Sequence, residues 1–256
     1  MVVEEPEEDE SSNKIVQTKD QKRLERIQFV ALCWSLFMAG WNDATFGPLN
    51  PRIREFYNIG FVVVSLFFLL ACLGFTIGAF VNIPLTDRYG FGKVIFFGSL
   101  CQVVAYAIQS IAPPWPVFLL AAVLNGAGLS VQDAQANGFV ASLKTNPETK
   151  MGLLHAIYGG GALVAPLVAT QFAQARHWSF HYIVSAGIAV SNAVFLGVVF
   201  KLKPLEVCLA QIGQPVTLEQ DTSEKSTFKQ IMGLRVVHLM AFFILVYVGV
   251  EVTFGG

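Results

Sequence analysis

Six apolar stretches of roughly 18 residues or more, and a seventh that runs to the last residue, constrain this chain more than any other feature. They cover residues 27–50, 61–86, 94–112, 117–142, 152–173 and 180–200, and then 236–256. A segment of this length and apolarity spans the hydrocarbon core of a bilayer as one helix. There, backbone amides have no water to bond and must pair within the segment. The fold class that follows is all-α: a polytopic membrane protein. Composition agrees, because 14% of the residues are charged against about 25% in a soluble domain.

The polar sequence divides the chain. The acidic run Glu4, Glu5, Glu7, Glu8, Asp9 and Glu10 opens a stretch, residues 1–24, that reads as a disordered cytoplasmic tail and not as a signal peptide. Residues 25–202 read as a six-helix transmembrane bundle, 203–235 as a cytoplasmic central loop carrying Lys225 and Lys229, and 236–256 as the start of a seventh helix. With the N-terminus inside, only Arg52, Arg54 and Arg176 of the 17 lysines and arginines fall outside. This bias sets the expected orientation, with the plasma membrane as the expected location. Cys33, Cys72, Cys101 and Cys208 show no CxxC spacing, so neither a disulfide framework nor a zinc site follows. No cofactor is implied. A net charge of −1 without a basic face argues against nucleic acid as a partner.

Within the apolar segments a few polar residues stand out. Asn42 and Asp43 sit in the first, and Asp43 lies roughly 25 Å along the helix from Arg26. Gln132, Asp133 and Asn137 sit in the fourth, with Asp133 roughly 16 Å from Lys144. Carboxylates at such depth are retained where they face a polar cavity, pair, or exchange a proton. Gly47 and Pro48 beyond Asp43 are expected to weaken that helix. Asn42-Asp43-Ala44 and Gln132-Asp133-Ala134, each followed by a glycine (Gly47 and Gly138), match as a three-plus-three inverted repeat would. His155 and Tyr158 stand one turn apart before Gly159-Gly160-Gly161, which reads as a close-packing run, as do Gly74 and Gly78. Glu251 is a third carboxylate at depth, roughly 24 Å beyond Arg235. No lysine or arginine lies inside a span, which favours a neutral polar or cationic solute over an anionic one.

The loop Asp87-Arg88-Tyr89-Gly90-Phe91-Gly92-Lys93 resembles the cytoplasmic signature of the major facilitator superfamily, with Ile83 where a glycine is usual. Asn42-Asp43, Asp133 to Phe139, Leu154-His155 with Tyr158-Gly159, and Tyr247 to Glu251 resemble motifs of its fucose/proton symporter branch, including glucose-transporter-like and fungal relatives. Asp133 stands in place of a glutamate, Gly138 in place of proline and His155 in place of glutamine. The resemblance implies a six-helix N-terminal bundle plus a truncated seventh helix, with the C-terminal half missing. It further implies a proton-coupled transporter of a small neutral solute such as a sugar. Asp43, Asn42, Asp133, Gln132, Asn137, His155, Tyr158 and Glu251 would then serve substrate or proton, and Asp87, Arg88, Gly90 and Lys93 would form a gating loop. Its partners are the lipid bilayer, the solute, protons and the missing half. A non-transporting scaffold and a seven-helix receptor are the rival readings. The receptor is disfavoured by charge orientation and by the lack of a lysine in the seventh segment. An enzyme is disfavoured because no nucleophile and base stand at recognisable spacing.

Overall fold

The computed structural model describes residues 17–214 and 233–255, as two units divided after Pro215. All regular structure among the described residues is helical. In the first unit α1 (Lys19–Tyr57) is followed by α2 (Phe61–Val64), α3 (Leu66–Tyr89), α4 (Phe91–Ser110), α5 (Trp115–Ala141), α6 (Pro147–Ala173), α7 (His181–Phe200) and α8 (Leu205–Gln211), with a 3₁₀ turn Trp178–Phe180 leading into α7. The second unit contributes α9 (Arg235–Gly255), an apolar helix in which the rings of Phe243 and Tyr247 stack at 6.4 Å.

Helix α1 starts earlier and ends later than its apolar run. Thr18 caps it: its hydroxyl accepts from Gln21 N–H at 3.3 Å while the Gln21 side chain accepts from Thr18 N–H at 2.9 Å, a reciprocal capping box. Residues 19–24, expected in the tail, are therefore helical; residues 1–16 of that tail lie outside the described residues. At the other end the helix runs through Pro48 and Pro51 to Tyr57. Each proline withdraws one N–H from the ladder, freeing the carbonyls of Ala44 and Gly47. Burial of Leu49 and Ile53 holds the helix together across them.

Among the described residues five helices are long and apolar enough to cross a membrane: α2 with α3 (Phe61–Tyr89), then α4, α5, α6 and α7 with its 3₁₀ turn. α1 is not among them by composition, since Gln28, Ser35, Asn42, Asp43 and Asn50 dilute it. It joins the bundle by packing along α6, α7 and α5. The chain is thus an all-α, multi-pass integral membrane protein.

The packing has a two-fold pattern. α1 against α6 is matched by α5 against α3, α1 against α7 by α5 against α4, and α4 pairs with α7. The middle helices of the two triplets, α3 and α6, are the least covered. Backbone contact fixes the register of this repeat. A Cβ on Gly40 would lie 1.9 Å from Tyr158 O, and one on Gly161 2.0 Å from Phe37 O, so α1 and α6 touch main chain to main chain. On the other side a Cβ on Gly126 would lie 2.3 Å from Ala71 O and one on Gly74 2.1 Å from Val123 O. Residues 37 and 40 correspond to 123 and 126, a shift of 86. Asp43 therefore aligns with Leu129, and Asp133 with Gly47, one helical turn away from the pairing that the Asn42-Asp43 and Gln132-Asp133 match suggests. Backbone contact sets the register, and the two aspartates sit at different depths within it. Of the triple glycine only Gly161 is at a close crossing; Gly159 and Gly160 have open space.

The segment after α7 is part of the bundle and not yet a loop. Gly92 N–H donates to Lys203 O at 2.9 Å, Lys144 N–H to Gln214 Oε1 at 3.0 Å, and Gln17 Nε2 to Ile212 O at 2.6 Å. Residues 203–214, expected in the central loop, thereby strap the end of the bundle where α1 begins. Beneath this strap Lys150 pairs with Glu25, which also accepts from Gln17 and Gln214. Burial opposes the charge on Glu25. The hydrogen bonds from Gln17 and Lys150, the Lys150 charge and the Gln214 amide outweigh it and hold the carboxyl below its ordinary value.

Candidate functional site: a polar face on an apolar bundle

Most of the bundle's outer surface is what lipid requires, with Val104, Leu120, Leu163, Val194 and Val198 among its exposed side chains. One face differs. Asp43 on α1 and His155 on α6 are exposed, and Tyr158 on α6 and Asp133 and Asn137 on α5 are half-buried.

Asp43 is held from two sides. Tyr158 Oη donates to its Oδ2 at 2.7 Å and Asn42 Nδ2 to its Oδ1 at 2.9 Å. The first bond crosses from α6 to α1 and depends on the close approach at Gly40 and Gly161. A longer separation would put Tyr158 out of reach. Asn137, one turn beyond Asp133 on α5, donates to Asp133 Oδ1 at 3.0 Å. Asp133 lies within electrostatic range of both His155 and Asp43. The structure therefore brings Asp43, Asn42 and Tyr158 into one hydrogen-bonded group, with Asp133, Asn137 and His155 beside it.

Gln132 is turned elsewhere. It is buried inside the bundle, donating to Gln102 Oε1 at 2.6 Å and accepting from Asn192 Nδ2 at 2.7 Å. Asn192 in turn accepts from Ser35 at 2.9 Å. This chain joins α1, α7, α5 and α4 across the repeat, and Gln132 has neither amide atom left facing the polar face. The Glu251 side chain lies outside the described residues.

The expected gating loop is reduced to Gly90: Asp87 and Arg88 end α3 and Lys93 lies in the first turn of α4, all three exposed. Gly90, at φ 81°, makes the turn that only glycine takes without strain, and its N–H closes α3 on Thr86 O at 2.8 Å. Arg88 sits over the Tyr89 ring at 5.4 Å. Among the described residues the ion pairs are Lys150–Glu25 and Arg52–Glu55, so Asp87 has no cation within pairing distance.

Two residues outside the expected site, Tyr106, readable from the sequence only as a packing or sugar-facing aromatic, and Asn125, which it did not flag, support the site from behind. Tyr106 on α4 donates to Asn42 Oδ1 at 2.8 Å, and Asn125 Nδ2 on α5 donates to the same oxygen at 2.5 Å. Buried His181 likewise escaped notice. It lies 3.1 Å from Thr45 Oγ1, whose own hydrogen goes to Trp41 O at 2.7 Å, so His181 Nε2 is the donor. A tyrosine and an asparagine inside apolar segments are the signal that could have found the first pair, but contact with Asn42 is not legible from spacing.

The sequence profile of the Major Facilitator Superfamily matches residues 32–255. The chain is 22% identical over 246 residues to Bypass of stop codon protein 6 of Saccharomyces cerevisiae, covering 91% of this chain and 50% of that protein. It is 24% identical over 224 residues to the Glucose/mannose transporter GlcP of Bacillus subtilis, covering 85% of this chain and 54% of that one. The chain spans about half the length of the curated relatives it matches. With a matching profile over most of its length and a six-helix bundle packed as two triplets, the chain belongs to the Major Facilitator Superfamily.

Proposed function

We propose that the chain forms one half of a major facilitator transporter that moves a small neutral polar solute, a sugar in the first instance, coupled to protons through Asp43. The observation that carries this reading is the Asp43–Asn42–Tyr158 group on an exposed face of a bundle whose outer surface is otherwise mostly apolar. A carboxylate cannot face hydrocarbon at that depth without a large cost, so a second protein wall and a polar cavity belong over it. Phenol, amide and carboxylate groups suit hydroxyl-bearing solutes. The absence of lysine or arginine beside them, among the described residues, suits a neutral one. The similarity to the Bacillus glucose/mannose transporter supports the same substrate class. The distribution of lysine and arginine supports a cytoplasmic N-terminus and a cytoplasmic 203–235 segment, with the plasma membrane as the location.

The test is accumulation of labelled hexoses by cells expressing the chain, alone and joined to any coding sequence that continues it, with Asp43→Asn in parallel. The amide keeps the shape of the side chain but cannot cycle a proton. Proton-driven accumulation is expected to be lost while energy-independent exchange survives in part. Concentration of the sugar by Asp43→Asn with an unchanged pH dependence would exclude Asp43 as the coupling residue.

A further inference from the structure

We propose that Tyr106 and Asn125, which lie behind the polar face and touch neither solvent nor Asp43's carboxylate by hydrogen bond, are positioning residues that set the proton affinity of Asp43 by fixing which way the Asn42 amide points. The inference rests on the reading of Asp43 as the proton site.

The geometry allows one orientation when Asp43 is ionised. A carboxylate only accepts, so the atom of Asn42 facing Asp43 Oδ1 at 2.9 Å is the Nδ2 donor. That leaves Asn42 Oδ1 facing the interior, where it needs donors. Tyr106 Oη and Asn125 Nδ2 supply them, at 2.8 and 2.5 Å, and the two are themselves 3.3 Å apart. Both side chains are buried and come from two different helices, α4 and α5, so neither can swing away without disturbing the bundle. The arrangement has a local cost. Asn125 Oδ1 is buried with no partner among the described residues. An amide that keeps its acceptor unpaired in order to donate to Asn42 is consistent with Asn42 Oδ1 being the group that must be held.

A protonated Asp43 prefers the reverse, because its O–H donates and would be met best by Asn42 Oδ1. To offer that oxygen Asn42 must rotate and present Nδ2 to Tyr106 and Asn125, which point donors at it in the observed arrangement and would both have to turn an oxygen toward it at the same time. The buried pair thus favours the ionised form of Asp43 through one intervening amide. Among the described residues, the charged and titratable groups facing Asp43 from the packed helices include Tyr158 and His155 on α6, Asp133 on α5 and Tyr106 on α4. On α7, His181 is engaged with Thr45. None of these orients the Asn42 amide except Tyr106.

The experiment titrates the purified chain in detergent by infrared difference spectroscopy. The acid C=O band of Asp43 is identified by its loss in Asp43→Asn. In the double variant Tyr106→Phe with Asn125→Leu the midpoint is expected to rise by about one pH unit, because the carboxylate loses a charge-assisted donor. Asn125→Leu alone keeps the tyrosine's donation and should move it less. Asn42→Ala removes the amide without touching the buried pair and should give the same upward shift. It decides the matter if the double variant does not fold. A midpoint that stays in place in Asn42→Ala, or in a folded double variant whose melting temperature has fallen, makes Tyr106 and Asn125 structural and overturns this inference alone. Absence of any titrating Asp43 band over the accessible pH range overturns the proton reading and this inference together.

Discussion

The phenol of Tyr158 donates a 2.7 Å hydrogen bond to Asp43, 115 residues earlier in the chain. It can do so because the helices carrying them meet backbone to backbone at Gly40 and Gly161. One packing contact thereby supports one polar group, and each can be perturbed separately.

Tyr158→Phe removes a donor from Asp43 Oδ2 while leaving the ring in place. Folding should be little affected, since a half-buried hydroxyl contributes about 1 kcal/mol. On the proposed function, the pH profile of sugar accumulation by the transporter should shift toward higher pH, as the ionised carboxylate loses one of the donors described above. An unchanged profile beside wild-type expression would remove Tyr158 from the coupling group.

Gly161→Ala places a methyl group 2.0 Å from Phe37 O, so α1 and α6 must separate. Overpacking of this kind costs about 1–3 kcal/mol, read as a lower melting temperature in detergent. Gly160→Ala, with open space at its Cβ, should be neutral or stabilising by up to about 1 kcal/mol from helix propensity. Equal effects of the two would show that the crossing is not close.

Gln132→Leu breaks the chain from Ser35 through Asn192 and Gln132 to Gln102. Interhelical bonds of this type within membranes are worth about 0.6 kcal/mol on average and up to about 2. Two partners are stranded, so a loss of roughly 1–3 kcal/mol of stability is expected. On the proposed function, solute preference among hexoses should not change. A change in preference at unaltered stability would return Gln132 to the solute-facing group.

Lys150→Met leaves Glu25 with only amide donors. The Glu25 carboxyl is held below its ordinary value near 4.5, so its contribution is fully present above that pH and is lost as pH falls through the lower folded value. The variant should therefore melt lower than wild type at neutral pH, and the gap should close in acid below 4.5. A gap that persists unchanged in acid would assign it to lost packing of the lysine stem.

How much of this was legible in the chain depends on the range of the physics involved. Spans 61–86, 94–112, 117–142, 152–173 and 180–200 lie close to the helices Phe61–Tyr89, Phe91–Ser110, Trp115–Ala141, Pro147–Ala173 and Trp178–Phe200. The solvent enforces them: hydrocarbon demands apolar side chains and internal hydrogen bonds in each segment independently. For the same reason Asp43 and Asp133 announced themselves, since a carboxylate in an apolar run is costly wherever the neighbours lie. The extent of α1 was less legible, because a capping box at Thr18 and the burial of Leu49 and Ile53 carried the helix past a charged start and two prolines.

Only the tertiary structure decided which polar groups share the face with Asp43 and which are turned inward. Gln132 and Asp133 are adjacent in the chain, yet one is buried and bonded to Gln102 and Asn192 while the other stands beside His155. Their directions follow from the rotation of α5 about its axis, which the approach of Gly126 to Ala71 O and of Gly74 to Val123 O sets through backbone contact. Tyr106 and Asn125 come from α4 and α5, and they reach Asn42 only because those helices pack at that depth and rotation. Local sequence determines that a segment enters the membrane, whereas the distance and rotation between helices are settled by contacts between residues far apart in the chain.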